Sequence, residues 1–178
     1  MYKAAGIVAL LGACGIAPAA TLRQLTMGQL TQSATAVVRA RITGSFATLT
    51  GRTIYTHYKL QVSETWKGGS APEVLLPGGV AGGYRQSFPG VPSLAVGNEY
   101  VLYLWTSPRT GLTQIVGLSQ GIFSVTPQSD GTIQVMRPRI GETMLDAAGH
   151  PVIDHAIRMK LADLKSQVVA AATTGAPR

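Results

Sequence analysis

Histidines are the side chains best suited to acid–base or metal chemistry, and their spacing here favours neither. His57, His150 and His155 form no His-x-x-x-His or His-Glu-x-x-His pattern, the spacings that bring a metal site onto one helix. His150 and His155 lie five residues apart in a segment with glycine and proline. Because zinc needs convergent nitrogen, sulfur or carboxylate ligands, the sequence predicts no metal site, and nothing in it indicates a cofactor.

The carboxylates and nucleophiles give no local catalytic pattern either. The one Gly-x-Ser-x-Gly match, Gly117-Leu118-Ser119-Gln120-Gly121, is followed by a predicted strand at 122–125, where a nucleophile elbow needs a helix. The double-glycine run at 78–83 lacks the Gly-Lys-Ser/Thr of a phosphate loop. We therefore predict that the protein is not an enzyme. The alternative is a dispersed active site, which would be indicated by a cleft where Glu64, Glu99 or Asp146 meets a histidine. The eight carboxylates are well separated: Glu64, Glu73, Glu99, Asp130, Glu142, Asp146, Asp154 and Asp163.

The only cysteine, Cys14, lies in a segment that has the pattern of an export signal. An unbroken apolar run from Ala4 to Ala17 is followed by small residues, as a signal peptidase requires. We predict a signal peptide over 1–20 and an exported protein, secreted or periplasmic. In the alternative, Leu11-Gly12-Ala13-Cys14 is a lipobox, and acylated Cys14 anchors the protein to a membrane. No second apolar run reaches the length of a transmembrane helix.

Composition and periodicity predict that short strands position these side chains. Hydrophobic residues make up 46% of the chain and charged residues 13%, with 21 glycines and 10 prolines, which suits strands joined by turns. The Thr53–Trp66 segment alternates over ten residues, with Ile54 and Tyr58 on one face and His57 on the other. Thr26 and Gln29 have the spacing of a capping box.

The predicted elements follow from these signals along the whole chain. Strands are expected at 34–46, 53–66, 73–76, 98–106, 113–118, 122–125 and 132–136, with 98–106 central. Helices are expected at 27–33 and near the C-terminus, where Leu161, Leu164 and Val168 recur at helical spacing. We predict one β-barrel domain over 21–172 and a disordered tail over 173–178.

The segment Gly78–Pro92 is the strongest candidate for a binding surface. It is long for a connection between strands, and such loops are often functional. Its Tyr84, Arg85 and Phe88 are residue types that anchor interfaces. The alternative interpretation is that the aromatic side chains fold back and stabilise the glycine-rich segment itself.

The order of these elements resembles an OB-type barrel and, more narrowly, the netrin-type modules that include tissue inhibitors of metalloproteinases. The resemblance covers residues 34–125 and rests on four segments: 36–44, 58–62, 66–68 and 96–104. The same pattern is similar to a group of exported bacterial proteins without an assigned activity. Strand count, alternation and glycine punctuation predict a five- or six-stranded antiparallel barrel, here of OB or netrin type, with a short N-terminal helix and a C-terminal amphipathic helix outside it. The animal inhibitors bind zinc through an N-terminal cysteine, which this mature chain lacks, so that mechanism is not carried over.

These observations predict an exported, non-catalytic module that binds another protein, with proteases as one class of partner. The net charge of +7 also leaves a single-strand nucleic-acid-binding OB fold as an alternative. In that case Arg39, Arg41, Tyr55 and Lys59 would share an outer face. Export argues against a nucleic-acid partner, and the sequence does not determine the oligomeric state.

Overall fold

Short apolar and alternating segments build one large antiparallel sheet, with one helix before it and one after it in the described residues. The computed structural model describes residues 21–174. Its elements are β1 (Thr21–Arg23), α1 (Met27–Ser33), β2 (Ala36–Thr50), β3 (Thr53–Lys67), β4 (Glu73–Pro77), β5 (Gly79–Ala81), β6 (Tyr84–Gln86), β7 (Glu99–Thr106), β8 (Thr113–Ile115), a 3₁₀ helix (Leu118–Gly121), β9 (Ile122–Pro127), β10 (Ile133–Arg137), β11 (Thr143–Leu145), β12 (Pro151–Val152), β13 (Ile157–Lys160) and α2 (Leu161–Thr174).

The main sheet has the strand order β13-β10-β9-β7-β2-β3-β4, and β8 also pairs with β7. Strand β7 is therefore central, as predicted. Leu104 pairs with Ala36 of β2 on one side and with Ile115 of β8 on the other. Strands β8 and β9 thus share the β7 edge opposite β2. Two smaller sheets complete the fold, β1-β11-β12 and the hairpin β5-β6.

Both faces of the central strands are buried, because side chains alternate between them. Val38 and Ile42 of β2 pack with Leu102 of β7 in one cluster. Val37 and Tyr103, on the opposite face, pack in a second cluster with the helices. Burial of each aliphatic side chain stabilises the folded protein by about 1.5–3 kcal/mol. Because the side chains alternate, one sheet supplies residues to two hydrophobic cores.

The two helices cover the second cluster. The capping box of α1 is confirmed: the Thr26 hydroxyl accepts from Gln29 N, and the Gln29 side chain accepts from Thr26 N. At the other end of the helix, Lys67 Nζ donates to Ala34 O at 2.7 Å. Helix α2 buries Leu161, Leu164 and Val168 and includes Thr173, where the sequence predicted the start of the tail. Neither described helix is long and apolar enough to cross a membrane.

The first strand is held at a distant part of the chain. Strand β1 pairs in parallel with β11, Thr21 opposite Thr143. The buried Gln120 fixes the same segment, because its Oε1 accepts from Leu25 N at 2.8 Å and its Nε2 donates to Arg23 O at 2.9 Å. The chain entering α1 is therefore tied to residues more than ninety positions later.

The predicted five- or six-stranded barrel needs correction. The main sheet has eight strands, and within residues 21–174 its terminal strands β13 and β4 do not pair with each other. The sheet extends beyond β9 because β10 and β13 add to its edge, and β13 is too short to give a period in the sequence. The predicted leader, with Cys14, and the end of the predicted tail lie outside the described residues.

Candidate functional site

The predicted binding segment is a β-hairpin, where the sequence indicated an irregular loop. Strands β5 and β6 pair around Gly82 and Gly83, which have φ angles of +58° and +79°. Positive φ at both central residues matches the right-handed twist of the flanking strands and favours glycine. The Gly-Gly pair between Ala81 and Tyr84 was the signal that could have identified this hairpin.

Side-chain hydrogen bonds hold the base of the hairpin against the turn between β2 and β3. Gln86 Oε1 accepts from Ile54 N at 2.6 Å, and Gln86 Nε2 donates to Arg52 O at 2.8 Å. Thr56 Oγ1 donates to Gly78 O at 2.8 Å. A Cβ on Gly79 would lie only 2.5 Å from Thr56 Oγ1. Glycine at this position therefore allows the hairpin to lie close to the sheet.

The hairpin separates the three predicted anchor residues instead of gathering them. Tyr84 is 68% exposed, and strand alternation places it on the side of Gln86, while Arg85 projects on the opposite side. Phe88 follows the hairpin and lines a cavity of about 220 Å³ beside Gly78. Tyr84 and Leu49 both lie near the turn of the hairpin, since each side chain comes within about 4 Å of a Cβ placed on Gly82.

Exposed apolar side chains are concentrated at this end of the molecule. Of ten exposed large hydrophobic residues in the described chain, five belong to the hairpin segment or the nearby end of β2: Phe46, Leu49, Val80, Tyr84 and Phe88. Single exposed apolar residues need no explanation, whereas a contiguous exposed apolar patch is typical of interaction sites. Leu49, Val80, Tyr84 and Arg85 are called the hairpin surface, which includes both sides of the hairpin, with Tyr84 on one side and Val80 and Arg85 on the other.

The charges near the hairpin surface have one sign. Residues 44–63 contain Arg52 and Lys59, residues 78–98 contain Arg85, and neither stretch contains an aspartate or glutamate. Two carboxylates outside these stretches contact residues 44–63: Glu73 contacts His57, and Glu99 accepts from Ser63 at 3.4 Å. A surface that combines apolar side chains with unopposed cations is complementary to an apolar surface with an acidic rim.

Two of the carboxylates considered as catalytic candidates converge on an arginine, with no histidine among their contacts. Arg39 Nη1 lies 2.9 Å from Glu64 Oε1, and Arg39 Nε lies 2.9 Å from Glu99 Oε1. Lys165 Nζ donates to Glu64 Oε2 at 2.7 Å. Hydrogen bonds from Lys165, Trp66 and Arg39 lower the pKa of Glu64 to about 2. Glu64 is therefore ionised at neutral pH and unsuited to act as a general acid.

Contacts within the protein also involve the cations that were considered for nucleic-acid binding. The charge of Arg39 is opposed by Glu64 and Glu99, and Arg41 Nη1 donates to Gly97 O at 2.6 Å. Lys59 Nζ lies 5.8 Å from the centre of the Phe46 ring. The contacts of Arg39 and Arg41 within the protein reduce the number of hydrogen-bond donors that these two side chains offer to phosphates.

His57 takes part in a hydrogen-bonded chain that the sequence did not indicate. Its Nδ1 lies 2.7 Å from Glu73 Oε1, and its Nε2 lies 2.8 Å from Thr48 Oγ1. The Phe46 ring stacks on the imidazole at 4.6 Å. Carboxylate, imidazole and hydroxyl in this order can activate the hydroxyl as a nucleophile. The nearby cavity, however, is lined by Thr56 and Tyr58, which alternate to the opposite face of β3.

The other histidines do not add to this group. His150 Nδ1 lies 3.4 Å from Asp146 Oδ2 in an exposed turn, and the backbone carbonyl of His155 accepts from Arg137 at 3.2 Å. Within residues 21–174, no cluster of three or more histidine, cysteine or carboxylate side chains has the arrangement of a metal site. Comparison with models of known protein families gives no match, and comparison with curated proteins gives none either.

Proposed function

We propose that the protein is an exported, non-catalytic module that binds another protein through the hairpin surface. The observation that carries the proposal is Tyr84, a large aromatic side chain that is 68% exposed on a hairpin whose base is fixed by Gln86. An aromatic residue on a rigid support loses little conformational entropy on binding. Such residues are the usual energetic centres of protein interfaces.

The charge near Tyr84 supports a partner with an acidic rim around an apolar patch. Arg85 is exposed beside Val80, and Arg52 lies at the neighbouring turn without a carboxylate in the surrounding sequence. Rim cations of this kind accelerate association and make it sensitive to salt. A protease is one class of protein that such a surface would fit.

Site-specific photocrosslinking tests the proposal in the exporting cell. A photoreactive phenylalanine at Tyr84 should crosslink one protein, and the same group at Val169, 43% exposed on α2, should not. With the purified pair, Tyr84→Ala should weaken binding about tenfold or more. Arg85→Gln should reduce the salt dependence. Equal crosslinking at both positions, or unchanged affinity of Tyr84→Ala, would contradict this function.

We also propose that β2, β3, β4, β7 and β8 form an OB- or netrin-type unit. The support is that β8 lies in contact with β4, so the two ends of this five-strand set approach each other. Two results would support closure of these strands into a barrel. The amides of Val74 and Leu76 should exchange slowly, and these residues should contact Thr113 or Ile115 across the strands. Rapid exchange along that edge of β4 would contradict it.

A hydrolytic activity is a second candidate, favoured by the Thr48–His57–Glu73 chain. If Thr48 is a nucleophile, a fluorophosphonate should label it, and His57→Gln should abolish the label. Labelling at another residue, or none at a concentration that saturates a serine hydrolase, would remove this candidate.

A further inference from the structure

One row of side chains crosses four strands of the main sheet. Arg158 of β13 pairs with Met136 of β10, Met136 with Ser124 of β9, and Ser124 with Tyr100 of β7. Directly paired residues project from the same face of a sheet. Because neighbouring strands lie ~4.7–4.9 Å apart, the row is roughly 14 Å long.

This row lies on the face that the helices leave uncovered. Val135 and Phe123, the neighbours of Met136 and Ser124 along their strands, pack in the cluster that includes α2. Met136 and Ser124 therefore project away from α2, and both remain partly accessible. Helix α2 therefore packs on the opposite face, and the 3₁₀ helix contributes Ser119 to the lining of the groove.

Two cavities adjoin along the row and share Met136. One, of about 230 Å³, is lined by Arg158 with Gln134 and Thr126. The other, of about 250 Å³, is lined mainly by apolar side chains, among them Tyr100, Ile122 and Pro92. Together they form a groove with a cation at one end and an apolar pocket at the other.

The cation at the open end of the groove is available to a ligand. Arg158 Nη2 lies 3.3 Å from the Met136 sulfur, a weak acceptor that leaves most guanidinium donors unused. No carboxylate lines either cavity. In the middle of the row, the Ser124 hydroxyl already donates to Met136 O at 3.0 Å. An apolar chain can therefore cross this point without leaving that hydroxyl unpaired.

We propose that this groove binds a medium-chain fatty acid. The carboxylate pairs with the Arg158 guanidinium, whose fork geometry matches it, and the chain lies over Met136 with its end in the pocket between Ile122 and Pro92. The flexible thioether of Met136 adapts to an alkyl chain. A strand of nucleic acid fits less well, since the row has one cation and one aromatic residue, Tyr100, whose hydroxyl accepts from Ala95 N.

Titration of the isotope-labelled full chain with decanoate, followed by amide chemical shifts, tests this inference. Shifts should concentrate in β9, β10 and β13 and leave the hairpin surface unchanged. Arg158→Gln should weaken decanoate binding about tenfold or more, because it removes the charged hydrogen bonds to the carboxylate. Arg158→Lys should retain part of the affinity. Arg109→Gln, which removes an exposed arginine from another turn, is the matched control and should leave binding unchanged.

Decanol and oligothymidylate complete the experiment. Decanol should bind the wild type more weakly than decanoate does. The Arg158→Gln variant should bind decanol and decanoate with equal affinity. The inference is overturned if decanoate does not bind, if decanol binds as tightly as decanoate, or if the shifts lie outside the groove. It is also overturned if oligothymidylate displaces decanoate from the same amides. Because Arg158 is exposed, its variants should fold, and unshifted resonances of β2 and β3 verify this.

Discussion

Gly68 lies so close to Thr35 that a side chain cannot fit between them. Gly68 follows β3 with φ +66°, and a Cβ placed on it would overlap the carbonyl oxygen of Thr35. Thr35 in turn directly precedes β2 and donates its backbone N–H to Leu104 O at 2.8 Å. The end of one long strand is thus packed, backbone against backbone, on the start of its neighbour.

Gly68→Ala should destabilise the protein by about 3 kcal/mol or more, because it combines positive φ with a clash against backbone. Gly69→Ala is the matched control, since a Cβ there meets nothing within 4 Å, and should change stability by less than about 0.5 kcal/mol. Urea unfolding of both variants gives the comparison. Similar losses in the two variants would show that the close approach is not what makes Gly68 necessary.

Glu64 should make stability depend on pH in the acid range. Its pKa is lowered from 4.5 to about 2 in the folded protein, so the folded state binds this proton less tightly than the unfolded chain. The stabilisation is present above pH 4.5 and is lost as the pH falls through about 2. Urea unfolding from neutral pH downward measures it.

Glu64→Gln should lower stability at neutral pH and flatten this part of the pH profile. Glu142→Gln is the control, because Glu142 has no ion pair among the described residues. If the two variants give profiles of the same shape, the contacts of Glu64 with Lys165, Trp66 and Arg39 do not persist in solution.

Tyr84→Ala and Phe88→Ala should differ in how much they lower the free energy of unfolding. Tyr84 is 68% exposed, so Tyr84→Ala should change stability by less than about 0.5 kcal/mol. Phe88 is 40% exposed and lines the cavity beside Gly78, so Phe88→Ala should cost about 1 kcal/mol. Separate urea titrations decide this. A larger loss for Tyr84→Ala would mean that Tyr84 serves packing, as in the alternative to recognition.

Arg137 and Asp154 form an ion pair whose side chains are only 7% and 2% exposed. Asp154→Ala should cost about 3–5 kcal/mol, because it leaves the guanidinium buried without its carboxylate. The double variant Arg137→Met, Asp154→Asn should be more stable than Asp154→Ala, since Asn can still accept from Ile140 N. A loss below about 1 kcal/mol for Asp154→Ala, measured by thermal unfolding, would contradict the burial of this pair.

Local signals in the sequence were sufficient for the two helices and the longer strands, but they did not indicate the short strands β1, β5, β6, β11, β12 and β13. Thr26 and Gln29 predicted helix α1 with the bounds that the structure has. Alternation along β3 predicted the burial of Ile54 and Tyr58. In each case the determining interactions lie within a few residues, so a short window of sequence contains them.

The side-chain clusters were not predictable, because they depend on register between strands. His57 meets Phe46, Thr48 and Glu73 only through the pairing of β2, β3 and β4. The β2–β3 pairing also shifts at three places, including between Ile42 and Gly44. Counting along two alternating segments therefore does not give the correct cross-strand neighbours. The same holds for the row from Arg158 to Tyr100.

The parallel pairing of β1 with β11 sets an order of events during synthesis. Thr21 cannot meet Thr143 until most of the chain has left the ribosome. A chain that folds from its N-terminus must therefore complete β2, β3 and β7 while residues 21–23 remain extended. Such long-range closure is slow, so the segment after the predicted leader stays accessible to processing enzymes until folding is nearly finished.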